Sequence, residues 1–263
     1  MKSQTKGSLL LLLTTIIWGT TFVAQDTAMA FIGPYAFQFS RSIVGCVVLL
    51  PVIFLFDRQK KKAPDYVAPT KADQKTLILG GVICGFFLCV ASCFQQVGIA
   101  MGTSGGKAGF ITAMYIVLVP VLGLFLGKKC GIRVWISVAL AVGGLYLLSC
   151  VGVASVNLGD ILILISAGAF AVQIVLIDIL AQELDGIRLN CIQFIVVTVL
   201  SALAAAFTET PTWQGVIDCA LPLVYAGVLS SGVAFTLQIL GQQHLPPAPA
   251  SLIMSLESVF AVL

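Results

Sequence analysis

Apolar runs about as long as a lipid bilayer is thick follow one another along the whole chain. Of its 263 residues, 59% are hydrophobic and only 10% are charged, whereas soluble domains carry about 25% charged residues. A helix of about 20 apolar residues crosses the hydrocarbon core, and lipid forces every backbone polar group into an internal hydrogen bond. The sequence therefore predicts an all-α polytopic membrane protein.

Charged residues, prolines and glycines divide the sequence into nine apolar segments. Eight are predicted to be complete membrane-spanning helices: Ser8–Gln25, Pro34–Phe56, Thr76–Gly98, Ala108–Leu126, Ile132–Gly152, Asp160–Ala181, Leu189–Phe207 and Ile217–Leu240. The ninth begins near Ala248, and at Leu263 it has only about two-thirds of the length that a crossing requires. We therefore expect the chain to be truncated within its ninth helix.

Lysine and arginine are concentrated on alternate connections. If the N-terminus is inside, the cytoplasmic side carries the six basic residues between positions 58 and 75, and Arg188. The opposite side keeps only Lys107. Because short cytoplasmic loops retain basic residues, we expect a cytoplasmic N-terminus in a multi-pass protein of the cell membrane, in a bacterium the inner membrane. A cleaved signal peptide is the alternative for the first segment, but the length of this segment and its Trp18 disfavour it.

The two halves of the sequence resemble each other weakly but in order. When Gln95 is set opposite Gln238, the fourth segment starts opposite the ninth. Further pairs in the same order are Trp18 with Phe170, Asp26 with Asp178, and Gln38-Phe39 with Gln193-Phe194. Each copy holds about five segments, an odd number, so the copies are predicted to have opposite orientations, with a substrate site between them near the bilayer midplane. The first repeat is predicted at residues 1–152 and the second at 153–263.

Several motifs make the chain similar to a known family. They are Trp18-Gly19-Thr20-Thr21-Phe22, the stretch from Thr103 to Thr112 with Tyr115 and Pro120 after it, Gly159-Asp160, and the stretch from Ser255 to Phe260. Together they resemble the EamA-type transporters of the drug/metabolite transporter superfamily. The resemblance implies ten helices in two EamA repeats and alternating-access transport, with export the expected direction, of small metabolites such as amino acids. The chain departs from the family where the helix after Leu263 is missing and where Ser258 replaces the usual proline.

Polar side chains recur on one face of several predicted helices, at intervals of three or four residues. In lipid such groups either line a cavity or join helices through hydrogen bonds worth ~0.6 kcal/mol, and the spacing does not decide between the two. With the motif residues they give the predicted substrate-binding set: Trp18, Thr21, Gln38, Arg41, Gln95, Tyr115, Gln173, Gln238 and Glu257.

Arg41 and Glu257 are the most informative members of this set, because a charge at the bilayer centre costs roughly 3 kcal/mol or more. They are predicted to form one electrostatic unit in the central cavity, in which Arg41 holds an anionic group of the substrate or, in its absence, the Glu257 carboxylate; the alternative is that each faces water or a backbone carbonyl. Glu257 is also the candidate carrier of a coupling proton. By contrast, Asp26 and Asp178 are expected to be solvated at helix ends, and Lys107 is expected to extend to the headgroups.

The sequence shows no pattern typical of an enzyme. It lacks an HExxH motif, a nucleophile with its base and a P-loop, and His244, its only histidine, is predicted in a loop. We therefore expect a transporter in the lipid bilayer with a small-molecule substrate, coupled to protons if Glu257 titrates, and with no catalysis, cofactor, metal or nucleic acid. A non-transporting receptor or scaffold is the alternative, and a membrane enzyme is less favoured. The oligomeric state is left open.

Overall fold

The computed structural model describes residues 2–62, 68–128, 130–149, 156–182 and 184–263, which form nine long helices and no strand. The helices are α1 (Lys2–Ala28), α2 (Pro34–Lys60), α3 (Lys71–Ala100), α4 (Gly105–Phe125), α5 (Ile132–Ser149), α6 (Leu158–Leu180), α7 (Gly186–Thr208), α8 (Ala220–Gln242) and α9 (Pro247–Val262). A short helix, Trp213–Asp218, precedes α8.

Seven of these helices, α1 to α4 and α6 to α8, are long and apolar enough to cross a membrane. In α5 and α9 the apolar stretches are shorter, Ile132–Gly144 and Pro247–Val262. The prediction of an all-helical membrane architecture is confirmed, and each predicted segment overlaps one of the nine long helices; the segment Ile217–Leu240 also includes the end of the short helix. The predicted end of the fifth segment at Gly152 lies outside the described residues, and so does the predicted boundary between residues 152 and 153.

Large apolar side chains lie on the outside of the bundle, and many polar residues are buried inside it among apolar ones. Phe207 and Leu221 are 86% and 83% exposed on the outside of the bundle, whereas Gln38 and Gln173 are fully buried. Inside the bundle, α1 packs against α8 and α9, and α3 packs against α6 and α7. This distribution suits lipid as the surrounding solvent, because apolar side chains are compatible with hydrocarbon while polar groups need hydrogen-bond partners inside the protein.

Two helices, α4 and α9, are interrupted near their middles. The halves are Gly105–Thr112 and Tyr115–Phe125 in α4, and Pro247–Met254 and Glu257–Val262 in α9. At both breaks the chain makes a tight turn, with Ile116 N donating to Ala113 O and Val259 N donating to Leu256 O, each at 3.0 Å. Pro120 lies inside the second half of α4 and not at its break. The two halves of each helix can therefore direct different residues towards the centre of the bundle.

The middle of α8, Ala226–Ala234, is a π-helix and not an α-helix. Side chains of neighbouring helices bind carbonyl groups of this segment. Thr14 Oγ1 donates to Ala234 O at 3.3 Å, and Asn190 Nδ2 donates to Ser231 O at 3.1 Å. Since a π turn holds more residues than an α turn, it changes which side chains of α8 face inwards.

Candidate functional site

A cavity lies at the centre of the bundle, enclosed by helices from both halves of the sequence. The space between its lining side chains, including the part that is open to the outside, is about 440 Å³. The lining residues are Trp18, Thr21, Phe22, Gln25, Arg41, Gln95, Thr112, Tyr115, Phe170, Ile174, Ser230, Phe235, Gln238 and Glu257. Both helix breaks and the π-helix contribute to this wall, so each irregular segment of α4, α8 and α9 lies beside the cavity.

Seven of the nine predicted site residues line the cavity: Trp18, Thr21, Arg41, Gln95, Tyr115, Gln238 and Glu257. The other two join helices instead. Gln38 Nε2 donates to Ser92 Oγ at 2.9 Å, which connects α2 to α3. Gln173 Nε2 donates to Gln193 Oε1 at 3.1 Å, and Gln173 Oε1 accepts from Gln238 Nε2 at 3.3 Å. Gln173 thus holds Gln238, which itself reaches the cavity.

Arg41 projects from α2 and is only 3% exposed. Its Nη1 donates to Gln25 Oε1 over a long 3.4 Å, and its Nε has no partner within the described part of the chain. The ring centroid of Phe37 lies 6.0 Å from the guanidinium carbon. An arginine is always charged and carries five N–H donors. The guanidinium therefore keeps donors for a further acceptor inside the cavity.

Glu257 opens the second half of α9 and is 4% exposed. The hydroxyl group of Tyr115 lies close enough to the Glu257 carboxylate to hydrogen-bond with it. Neither Glu257 Oε1 nor Tyr115 Oη has a further partner among the described residues. A carboxylate in such a place can accept from a cationic or protonated group of a ligand. Glu257 and Arg41 thus give one cavity an acidic and a basic group from different halves of the sequence.

The predicted ion pair between Arg41 and Glu257 is absent. The described residues form four ion pairs within 4.0 Å, and none of them includes either residue. Both side chains nevertheless line the same cavity. The prediction of direct pairing is wrong because similar depth in the bilayer does not place two side chains against each other: the cavity lies between the helices that carry them.

An aromatic cluster forms one side of the cavity. The rings of Trp18 and Phe235 have centroids 4.8 Å apart, and Phe235 contacts Phe194 edge to face at 5.3 Å. Such pairs contribute about 0.5–1.5 kcal/mol beyond area burial. The buried Nε1 of Trp18 has no partner among the described residues. This wall combines an apolar surface with one indole N–H donor.

Seven lining residues were not among the predicted site residues: Phe22, Gln25, Thr112, Phe170, Ile174, Ser230 and Phe235. Four of them had a signal in the sequence. Phe22 and Thr112 lie in the motifs that resemble the family. Gln25 shares a helix face with Trp18 and Thr21, and the repeat alignment sets Phe170 opposite Trp18. For Ser230 no such signal exists, because its inward position follows from the π-helix, which breaks the helical period.

Two charged residues at helix ends are paired, contrary to expectation. Asp178 was expected to be solvated, but it is 9% exposed and forms an ion pair with Lys128, which follows α4. Lys107 was expected to reach the headgroups, but its Nζ lies 2.6 Å from Asp160 Oδ2. Asp26 is exposed, as expected. The sequence could not show the pairs because their members lie on helices far apart in the chain.

Gly19 of α1 holds the second half of α9 in place. A Cβ atom at Gly19 would lie 2.3 Å from Phe260 Cβ and 2.7 Å from the carbonyl oxygen of Glu257. No side chain fits there unless the backbone that carries Glu257 shifts. The absence of a side chain at this position therefore fixes where Glu257 enters the cavity.

We expect Gly19→Ala to lower the free energy of unfolding by ~1–3 kcal/mol, the usual effect of overpacking. The matched control is Gly168→Ala in α6, where a Cβ atom would meet nothing within 4 Å. Alanine stabilises a helix by about 1 kcal/mol over glycine, so this variant should be at least as stable as the parent. Equilibrium unfolding in mixed micelles measures both, and equal behaviour of the two variants would contradict the close contact at Gly19.

Comparisons with known proteins agree with this arrangement. The model of the EamA-like transporter family matches residues 5–150 and 157–263. An uncharacterized transporter of Archaeoglobus fulgidus is 31% identical over 256 residues, which cover 95% of this chain and 74% of the relative. The uncharacterized transporter YoaV of Bacillus subtilis is 23% identical over 257 residues, covering 94% of this chain and 83% of the relative.

A solved crystal structure of a protein shares the fold. It superposes with a TM-score of 0.75 at 15% sequence identity, covering 98% of this chain and 86% of the other. The similarity to transporters thus extends over nearly the whole chain in sequence, and the solved structure adds agreement in fold. The chain belongs to the EamA-like transporter family.

Proposed function

We propose that the protein is a secondary transporter that exports a small carboxylate-bearing metabolite, such as an amino acid, by alternating access. One observation carries this: buried polar groups that have no further partner among the described residues line one cavity. They are two donors, Trp18 Nε1 and Arg41 Nε, one acceptor, Gln238 Oε1, and the hydroxyl of Tyr115 and the carboxylate of Glu257, which have only each other. Buried polar groups are normally hydrogen-bonded, so this set favours a polar ligand.

The charges favour a ligand that carries both signs. The planar guanidinium of Arg41 matches a carboxylate, which it can bind through two parallel hydrogen bonds. The carboxylate of Glu257 can accept from an ammonium group. Between them, the rings of Trp18 and Phe235 offer an apolar surface. An α-amino acid with an apolar side chain has these three features.

Alternating access needs two halves that open the cavity in turn, and the helix breaks support such halves. The break at Ala113 in α4 and the break at Leu256 in α9 are separated by the same sequence interval as Gln95 and Gln238. Discontinuous helices that meet at the midplane are typical of transporters with inverted repeats. We therefore assign residues 1–152 and 153–263 to two inverted repeats.

The flux experiment is direct. The protein is reconstituted in liposomes loaded with one labelled amino acid at a time, and efflux is compared with that from protein-free liposomes loaded in the same way. We expect saturable efflux of at least one amino acid and inhibition by its unlabelled form. A receptor or scaffold would leave the efflux of every amino acid tested at the level of the protein-free liposomes.

The orientation that we propose has the N-terminus in the cytoplasm of a bacterial cell. The distribution of Lys and Arg motivates it. In a cysteine-free background, Ser104→Cys should react with a membrane-impermeant maleimide in intact cells, and Lys62→Cys only after permeabilisation. Both side chains are exposed, so burial does not bias the comparison. Labelling of position 62 but not 104 in intact cells would reverse the orientation.

A coupling proton is assigned to Glu257, the buried carboxylate of the cavity. Glu257→Gln keeps the size of the side chain but cannot carry a proton, so efflux by this variant should no longer respond to an imposed pH gradient. The control is Asp26→Asn, an exposed position at the end of α1, which should keep the response of the parent. A gradient-driven flux that survives Glu257→Gln would assign the proton to another group.

A further inference from the structure

Two of the ion pairs join the same two helices at opposite ends. Lys107, near the start of α4, pairs with Asp160, near the start of α6, at 2.6 Å. Lys128, just after the end of α4, pairs with Asp178 near the end of α6. The two helices therefore run in the same direction and are fixed at both ends. They come from different halves of the sequence.

The pair near the starts of α4 and α6 is part of a larger polar cluster around the buried carboxylate of Asp160. Besides Lys107, the Asp160 carboxylate accepts from Thr103 Oγ1 at 2.9 Å and from the backbone N–H of Asn157 at 2.9 Å. Asp160 is only 5% exposed. Its charge is thus compensated by one cation and two further donors. If α4 moved away from α6, the carboxylate would lose Lys107 and Thr103 and keep the N–H group of Asn157, which caps α6 itself.

The backbone of α3 joins this cluster. A Cβ atom on Gly159 would lie 2.6 Å from the carbonyl oxygen of Gly98, so α3 and α6 touch through their main chains. Glycine is needed at both positions, because a side chain at either one would collide with the carbonyl oxygen of the other. At this end of the bundle α3, α4 and α6 are therefore held together by backbone contact and charge.

The contact between α4 and α9 is of another kind. In the first half of α4, a Cβ atom on Gly109 would lie 3.0 Å from Ala261 Cβ, and one on Gly106 would lie 3.1 Å from Val262 Cγ2. The described residues form no ion pair across this contact. Small apolar groups can separate here without leaving a charge unpaired.

We propose that α3, α4 and α6 move as one rigid body during transport, although α6 belongs to the other sequence repeat, and that the cavity opens between α4 and α9. Movement itself rests on the proposed function. Pulling α4 from α6 would strand a buried carboxylate without its cation, which is strongly unfavourable. Separating α4 from α9 only uncovers small apolar surface.

A second pair of helices from different halves, α2 and α7, is also connected at both ends, although these helices run antiparallel and the groups at the end that carries the ion pairs are more exposed. At one end Asp57 pairs with Arg188 at 2.6 Å, and Lys60 pairs with Asp185 at 2.5 Å. Burial raises the pKa of Asp185, but hydrogen bonds from Lys60 and the backbone of Arg188 outweigh it and hold the pKa below its usual range. At the other end the carboxylate of Glu209 accepts from two backbone N–H groups that open α2.

Cross-links distinguish the two contacts. In a cysteine-free background, Thr103→Cys/Asn157→Cys places a disulfide between the starts of α4 and α6, where the parent side chains approach to 3.3 Å. Gly106→Cys/Val262→Cys places one between α4 and α9. We expect the oxidised first variant to keep the flux of its reduced form, and the oxidised second variant to fall to background until a reductant is added. A reductant-reversible loss of flux in the first variant would overturn the rigid body.

A readout without flux separates this proposal from the proposed function. Thr112→Cys, added to each double variant, reports whether a small thiol reagent reaches the cavity. The thiol should react when α4 is cross-linked to α6 and should be protected when α4 is cross-linked to α9. The reverse labelling pattern overturns the proposal even if the parent protein transports nothing, in which case the proposed function fails by itself.

Discussion

Arg41→Ala is expected to bring transport of carboxylate substrates to background while leaving the fold intact. Truncating one partner of a buried, hydrogen-bonded charge pair costs 2–5 kcal/mol or more in binding, which is about 30-fold or more in affinity. Removing the arginine should not lower the free energy of unfolding, because its buried charge has no carboxylate partner among the described residues. Concentration-dependent efflux and equilibrium unfolding measure the two effects separately.

Two further variants make the result specific. Arg41→Lys keeps the charge but loses the planar fork that binds a carboxylate bidentately, so it should restore little. Arg58→Ala removes an arginine at the other end of α2, where its guanidinium lies 4.4 Å from the ring centroid of Phe54 and outside the cavity lining, and it should keep parental efflux. If Arg41→Ala transports carboxylates with parental affinity, the anionic group of the substrate binds elsewhere.

Much of the fold follows from local features of the sequence. Lipid removes every alternative to helices for apolar runs of this length, so the predicted segments overlap the observed helices. The intramembrane charges were informative for a related reason: an expensive group persists only where a cavity or a partner compensates it. Arg41 and Glu257 could therefore be selected from the sequence, and both line the central cavity.

Features that depend on distant contacts could not be predicted in the same way. The π-helix of α8 is accompanied by hydrogen bonds from Thr14 and Asn190, which lie on other helices. Gln38 and Gln95 look alike as single polar residues in apolar segments, yet Gln38 joins two helices while Gln95 reaches the cavity. Depth along a helix can be read from the sequence, but the direction of a side chain within the bundle is decided by packing.

Lys107→Met is expected to lower the free energy of unfolding by ~3–5 kcal/mol, the usual effect of leaving a buried charge without its partner. The reason is the position of Asp160, which is 5% exposed and would keep only its two neutral donors. The matched control is Lys60→Met: this lysine is 54% exposed and its partner Asp185 is 25% exposed, so the loss should be about 0–1 kcal/mol. Equilibrium unfolding in mixed micelles compares the two variants directly.

The cause of the loss can be tested by removing the stranded charge as well. Asp160→Asn keeps the shape of the side chain and an oxygen that can accept from the N-terminal backbone of α6, but it carries no charge. Lys107→Met/Asp160→Asn should therefore be more stable than Lys107→Met alone, because residues that share an ion pair are not additive. If the double variant were as unstable as the sum of the two single changes, the packing of the Lys107 side chain, and not its charge, would hold α4 against α6.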